Sequence, residues 1–224
     1  QTIQERLEQY VSVKDFGAVG NGLVDDTQAI QDAINASYGK KLFFPGGTYL
    51  FKKELVFKNN YVEGVPGYSV LKAANWDVAN GYSQCLKIDP ISGSDNANAS
   101  IYGLTLDVTN YSSADATSFN VAGLWTINGD RVLMKQCQIL GEGTYKHSTS
   151  LKAERVCEIT LEDCTFRDLR ANVLWLATAG FGRQGNKKLV KGCRIINVPH
   201  NPDAAANRAV ITGDDDEFIF VDNY

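Results

Sequence analysis

The chain has 224 residues, 44% of them hydrophobic, with 20 Gly, 5 Pro and a formal net charge of −4. That composition belongs to a folded globular protein, one large domain or two small ones, rather than a disordered chain. Lys and Arg are scattered instead of forming a basic stripe, which argues against a nucleic-acid partner, and no apolar run approaches the roughly 20 residues of a membrane span.

Residues 1–10, "QTIQERLEQY", hold no apolar core of a signal peptide. Ile3, Leu7 and Tyr10 are spaced four and three apart, which predicts a short neck helix over 1–10. Barely one heptad is present, so such a helix is marginal alone and depends on neighbouring chains. The other reading of this segment is a frayed tail.

Residues 11–59 read as an N-terminal cap and lead-in. Val11 and Val13 lie in an extended run, "GAVGNG" is a turn, and a helix is predicted from Thr27 to Ser37. Asp25 or Asp26 caps it, with Gln28 three residues after Asp25 as in a capping box. Ala29, Ile30, Ala33 and Ile34 form its apolar face, and Gln28, Gln31, Asp32 and Asn35 the polar one. "KKLFFPGGTYLF" then reads as strand, Pro-Gly-Gly turn, strand.

Residues 60–224 repeat. "VLMKQCQIL", "ITLEDCTFR" and "KLVKGCRII" align on Cys137, Cys164 and Cys193, with Met134, Leu161 or Val190 three residues before and Ile139, Phe166 or Ile195 two after. Leu104 and Asn223 fill the same slot, so positions 104, 137, 164, 193 and 223 are 33, 27, 29 and 30 residues apart. A period near 30 made only of short strands predicts a coil of about five stacked rungs, like residues above like. The aligned cysteines then form an interior ladder of small apolar residues, favoured over disulfides; Asn223 extends it through amide hydrogen bonds. The five cysteines show no CxxC pairing, and no metal ion or organic cofactor is expected. The early helix covers the raw end of the stack, with its unpaired edges and open core.

"VSVKDFGAVGNGLVDDTQAIQDAINA" followed by "LFFPGGTYLF" is similar to the opening segment of the pectate-lyase-like superfamily. That resemblance implies an all-β fold: a right-handed single-stranded parallel β-helix with an N-terminal capping α-helix. The "ERLEQYVSVKDFGA" junction resembles bacteriophage tailspikes. It implies a homotrimer in the virion, joined to other phage tail proteins, that binds and often cleaves a bacterial surface polysaccharide at the host cell surface. No head-binding domain precedes the neck and the chain ends within a repeat, so it reads as a fragment of something longer. Lyases, hydrolases, epimerases and non-catalytic fibres share the architecture, so the chemistry rests on a site.

A second register places Leu124, Leu151 and Val210 inward, each 13 residues before the ladder slot. By the two-residue period, Trp125, Lys152 and Trp175 then share an outer face with Glu154 beside them. Flat indoles suit the apolar faces of sugars, and Lys152 or Arg155 suits an acidic glycan. The same face could equally be the trimer contact. Glycoside hydrolysis needs two carboxyl groups. Glu154 is the best-placed single acid, and Asp214 and Asp215 in "TGDDDE" faintly resemble the paired aspartates of polygalacturonases. The Gly-His-Gly and Arg-x-Lys segments of that family are absent, and the residues favour a solvated acidic loop or a cation site for "TGDDDE". Asp163 and Asp168 read as turn formers. His147 and His200 lie in loops without a matching nucleophile. Endo-acting depolymerisation, by hydrolysis or β-elimination, is the expected activity. The alternatives are a glycan-binding or structural tail component that cuts nothing, and a cellular pectin-active enzyme, which the neck junction disfavours.

Overall fold

The computed structural model describes residues 9–57, 61–74, 85–88, 98–110, 125–141, 149–169, 172–176, 187–198, 210–212 and 217–224. The side chains of Trp125, Lys152, Glu154, Arg155 and Trp175 lie outside that description. The chain winds through three parallel sheets in turn.

The first sheet stacks β1 (Tyr10–Ser12), β3 (Lys41–Phe44), β6 (Tyr61–Gly64), β9 (Asn98–Tyr102), the second halves of β11 (Trp125–Lys135) and β13 (Thr149–Glu162), β16 (Lys187–Lys191) and β19 (Glu217–Val221). The second stacks β2 (Asn21–Asp25), β4 (Gly47–Phe51), β7 (Ser69–Ala74), β10 (Leu104–Asn110), β12 (Gln138–Leu140), β14 (Thr165–Arg167) and β17 (Arg194–Ile196). The third stacks β5 (Leu55–Phe57), β8 (Leu86–Ile88), the first halves of β11 and β13, β15 (Asn172–Leu176) and β18 (Val210–Thr212). Because β11 and β13 pass from the third sheet into the first, hydrogen bonding fuses these two into one 12-stranded sheet beside the 7-stranded second.

The coil therefore has more turns than the five aligned repeats suggest. The earliest turns were hidden because their corner slot holds Gly47 and Ser69, which pair in register with one another and with Leu104, instead of cysteine.

Alternation along each strand sends every second side chain inward. Leu42, Val62, Ile101, Met134, Leu161 and Val190 form one buried row in the first sheet. Tyr49, Leu71, Leu106, Ile139 and Phe166 form its counterpart in the second, and Leu55, Leu86, Leu151 and Leu174 in the third. Burial of each such side chain contributes about 1.5–3 kcal/mol, so a rung is held by its neighbours rather than by itself. Burial, and then the charge of Asp26, push the Tyr49 hydroxyl up to about 12. Its hydroxyl donates to the Pro45 carbonyl at 2.8 Å.

From β9 onward the corner from first to second sheet turns on one residue with positive φ per rung: Gly103 (69°), Gln136 (53°), Asp163 (54°), Gly192 (63°) and Asp222 (51°). Its amide donates to the next rung, as Gln136 N–H does to the Glu162 carbonyl at 2.9 Å and Asp163 N–H to the Lys191 carbonyl at 2.9 Å. The ladder thus continues around the bend.

Behind this corner stand Cys137, Cys164 and Cys193, all buried and unbonded. Cys85 is a fourth buried free thiol outside the slot, and Cys157 has a side chain outside the described set. Their stacking fits the expected ladder, and their thiols also aim at backbone. Cys137 Sγ faces the Ile101 carbonyl at 3.5 Å, Cys164 Sγ that of Met134 at 3.5 Å, and Cys193 Sγ that of Leu161 at 3.6 Å.

Helix α1 (Thr27–Ala36) lies against β1 and β5, at the start of the stack, with Ile30, Ala33 and Ile34 buried. The expected capping box is not formed. Asp25 Oδ1 accepts from Thr27 N–H at 3.1 Å, while Asp26 is buried and accepts from the amides of Val19 at 2.6 Å and Gly20 at 2.9 Å, pinning the glycine turn. Gln28 reaches Asp32 instead, at 2.9 Å. A capping box occurs earlier, where Ser12 and Asp15 bracket the 3-10 turn Val13–Phe16. Gln31, placed on the polar face by periodicity, holds the edge of β5: its Oε1 accepts from Val56 N–H at 3.0 Å and its Nε2 donates to the Val56 carbonyl at 3.2 Å. Tyr10 begins β1, pairing with Lys41, so it is not helical; residues 1–8 of the expected neck lie outside the described residues.

Candidate functional site

The three corners of the coil differ in how much chain they carry. From β9 onward, the first sheet passes to the second through Gly103, Gln136–Cys137, Asp163–Cys164 or Gly192–Cys193 alone. Residues 111–124, 141–148, 168–171 and 197–209 connect the second to the third. Residues 89–97 and 177–186 connect the third to the first, on either side of β11 and β13, which cross that corner unbroken. Long connections therefore flank both edges of the third sheet, and in such scaffolds the connections carry function.

Across the third sheet the backbone register pairs Lys152 with Trp175 and Trp175 with Ile211. Trp125 is not in that row. It pairs with Leu86 and Leu151, both fully buried, and Thr126 pairs with Lys152. The sequence alignment placed Leu124 opposite Leu151 and is one residue out of register. The cause is an irregularity at the corner: Ile127 pairs with Ala153, but Gly129 pairs with Val156. Glu154 and Arg155 together face Asn128 alone, the signature of a β-bulge, a device that recurs next to active sites. Asp214, Asp215, His147 and His200 lie outside the described residues.

At the opposite corner a groove of about 430 Å³ crosses three rungs. Gln136, Asp163 and Gly192 line it from the turn, Gln138, Thr165 and Arg194 from the outer row of the second sheet, and Pro66 and Gly67 close one end. Gln138, Thr165 and Arg194 are register partners on successive strands. A Cβ at Gly192 would lie 2.4 Å from Asp163 Oδ1, so glycine leaves room for that carboxylate, although Gln136, Asp163 and Asp222 adopt a similar positive φ in their own rungs. Tyr102 donates its hydroxyl to Gln136 Oε1 at 2.8 Å, fixing that amide. The side chains of Gln138, Asp163, Thr165 and Arg194 make no hydrogen bond or ion pair among the described residues.

Sequence reasoning treated Asp163 as a turn former and passed over Gln138, Thr165 and Arg194. The signal was present: each directly follows an aligned cysteine, Cys137, Cys164 or Cys193, and alternation puts that position outside. Among the described residues, no group of three or more His, Cys, Asp or Glu is placed to hold a metal ion.

The three-sheet parallel coil defines the class, a pectate lyase-like right-handed β-helix. The chain belongs to the family described as rhamnogalacturonase A/epimerase, pectate lyase-like, which matches residues 10–176. It is 54% identical over 55 residues to plasmin and fibronectin-binding protein A of Streptococcus pneumoniae, covering 23% of this chain and 8% of that protein. It is 42% identical over 55 residues to a K30/K69-specific capsule depolymerase of Klebsiella phage K64-1, covering 25% of this chain and 7% of the depolymerase. Among solved structures, ORF18 of Geobacillus virus E2 superposes on 99% of this chain and 49% of its own with a TM-score of 0.62 at 18% identity, a likeness of fold. The chain thus spans under a tenth of these two curated relatives and about half of the solved chain.

Proposed function

We propose that this chain is β-helix from a phage tailspike that binds a bacterial surface polysaccharide and depolymerises it at the host cell surface, as a homotrimer joined to other tail proteins in the virion. The observation that carries this reading is the gathering of long connections around the third sheet, with the bulge at Glu154 and Arg155 between them. Membership of a carbohydrate-active family and similarity to a phage capsule depolymerase support it.

In this reading Lys152, Arg155 and Trp175 hold the glycan, Trp175 by stacking and the cations through acidic groups. Glu154 supplies one carboxyl group and Asp214 or Asp215 the other. Register runs from Ala153 through Leu176 to Thr212 on successive strands. An inverting hydrolysis requires the two carboxyl groups roughly 6.5–9.5 Å apart, with room for an attacking water, and a covalent mechanism roughly 5–5.5 Å. In a β-elimination, Glu154 would instead take the C5 proton next to a uronate carboxylate that Lys152 and Arg155 neutralise; the freed electron pair forms the C4–C5 double bond as the C4–O glycosidic bond breaks, and the leaving oxygen takes a proton from water.

The similarity to a plasmin and fibronectin-binding protein favours a second reading, a binding surface that cuts nothing. Incubating the intact protein with K30 or K69 capsular polysaccharide separates the two. New reducing ends mark hydrolysis, and ultraviolet-absorbing unsaturated ends mark β-elimination. Retention without shortening supports the adhesin, and absence of both binding and cleavage on a broad panel of bacterial polysaccharides sinks the glycan reading.

A further inference from the structure

The geometry points to a second carbohydrate site in the groove at the corner between the first and second sheets, on the side of the coil opposite the third sheet, taking a neutral hexose polymer laid along the coil axis. It rests on the glycan-binding reading of the chain but uses none of the third-sheet residues.

Three properties of the groove carry the inference. The side chains aimed into it are amide, hydroxyl, carboxylate and guanidinium groups, Gln138, Thr165, Asp163 and Arg194, and none is engaged by another described side chain. Such a set both donates and accepts, as a ring bearing several hydroxyls requires. Gln138, Thr165 and Arg194 recur on successive strands, hence about every 4.8 Å, close to the length of one hexose unit in an extended chain. A polymer along the axis therefore meets one side chain per sugar. The charge is balanced: Asp163 stands beside the turn at Gly192 and offsets Arg194, so a phosphate or polyuronate meets repulsion as well as attraction.

Rigidity supports recognition. Gln136 is held by Tyr102, and the turn residues are tied to the following rungs through their backbone amides. The backbone of the groove is pre-formed by the coil rather than by a long connection, so binding orders only the side chains that line it.

The test is affinity electrophoresis of the intact protein through gels containing dextran, galactomannan or alginate, with Gln138→Ala/Arg194→Ala and Thr165→Trp as variants. The first removes two partners, and the second fills the groove; thermal unfolding checks that each remains folded. The expected result is retardation of wild type in at least one neutral gel, with the apparent dissociation constant raised threefold or more by each variant. Variants that migrate like wild type in every gel that retards it would show side chains serving only solvent, and overturn the inference. A loss confined to alginate overturns the assignment to a neutral ligand. No retardation of wild type in either neutral gel overturns it too, while the third-sheet reading stands or falls separately on cleavage of capsular polysaccharide.

Discussion

Asn223 stands directly on Cys193: its Oδ1 accepts from the Cys193 amide at 2.9 Å and its Nδ2 donates to the Val190 carbonyl at 3.0 Å. The same carbonyl position, three residues before the slot in the preceding rung, is approached by every polar slot residue below. Ser69 Oγ donates to the Phe44 carbonyl at 2.7 Å, and Cys137, Cys164 and Cys193 direct their thiols at Ile101, Met134 and Leu161. Ser, Cys and Asn occupy one slot because each is small and carries a donor at the right reach.

Asn223→Ala removes two hydrogen bonds, one of them serving the Cys193 amide. A loss of about 1–2 kcal/mol is expected, read from the urea midpoint. Cys164→Ala should cost less through its weak S–H donor, and Cys164→Ser should recover part of that loss.

Burial, together with the charge of Glu54, pushes the Cys85 thiol up; the hydrogen bond that the Cys193 thiol makes to Cys164, and then burial, do the same for Cys193. Burial tends to raise the Cys137 thiol, but hydrogen bonds with Cys164 and with backbone at Leu104, Gly103 and Lys135 prevail and lower it; all four thiols are buried, so none is accessible. Iodoacetamide at neutral pH, followed by site-resolved mass spectrometry, should leave Cys85, Cys137, Cys164 and Cys193 unmodified in native protein and modify all four in denaturant.

The architecture was legible because stacking copies each inward residue from rung to rung: Met134, Leu161 and Val190 announce one row in the sequence itself. The opening helix was legible for the same reason, through Ile30, Ala33 and Ile34. Register across the third sheet was not. One extra residue at Glu154–Arg155 shifts the pairing, and periodicity cannot reveal which strand of a pair carries a bulge. Gln31 and Asp26 were misassigned for another reason. Their partners, Val56, Val19 and Gly20, are set by tertiary contact, which overrides local capping rules.

Gln31→Ala leaves the Val56 N–H and C=O without their amide partner at the edge of β5. A cost of about 1–2 kcal/mol is expected, with faster aggregation at the unfolding midpoint because an uncovered edge templates pairing. Gln31→Glu keeps one acceptor and should fall between wild type and Ala when the unfolding midpoints are compared.

Burial tends to raise the Asp25 carboxyl, but hydrogen bonds from Thr27 and the charge of Lys52 at 3.7 Å prevail and hold it below its ordinary value. A lowered folded value means that its stabilisation is present above the unfolded value of about 3.9 and is lost as pH falls through the folded one. Asp25→Asn should therefore be less stable than wild type near neutral pH, and the gap should close as pH falls through the lowered folded value. The carboxylate is half exposed, so added salt should narrow the neutral-pH gap by screening Lys52. Urea midpoints across pH, with and without salt, measure both effects.

The third sheet gives the most discriminating set of substitutions. Lys152 and Trp175 are register partners, and both rows beside them are buried: Leu151 and Leu174 on one side, Ala153 and Leu176 on the other. Trp175→Ala should weaken glycan binding by roughly 1–3 kcal/mol, by analogy with flat rings stacked on aromatics. Lys152→Ala should weaken it only for an acidic polymer, and less so in high salt. Glu154→Gln keeps size and hydrogen bonding but removes the carboxylate, so cleavage should disappear while binding stays near normal. Trp125 is the control. Its register position is that of buried Leu86 and Leu151, so Trp125→Ala should lower the unfolding midpoint rather than glycan affinity. The measurement is binding and depolymerisation of capsular polysaccharide beside sedimentation of the intact protein. If Trp175→Ala dissociates the assembly and Glu154→Gln still cuts, the third sheet is a subunit contact and the catalytic face lies elsewhere.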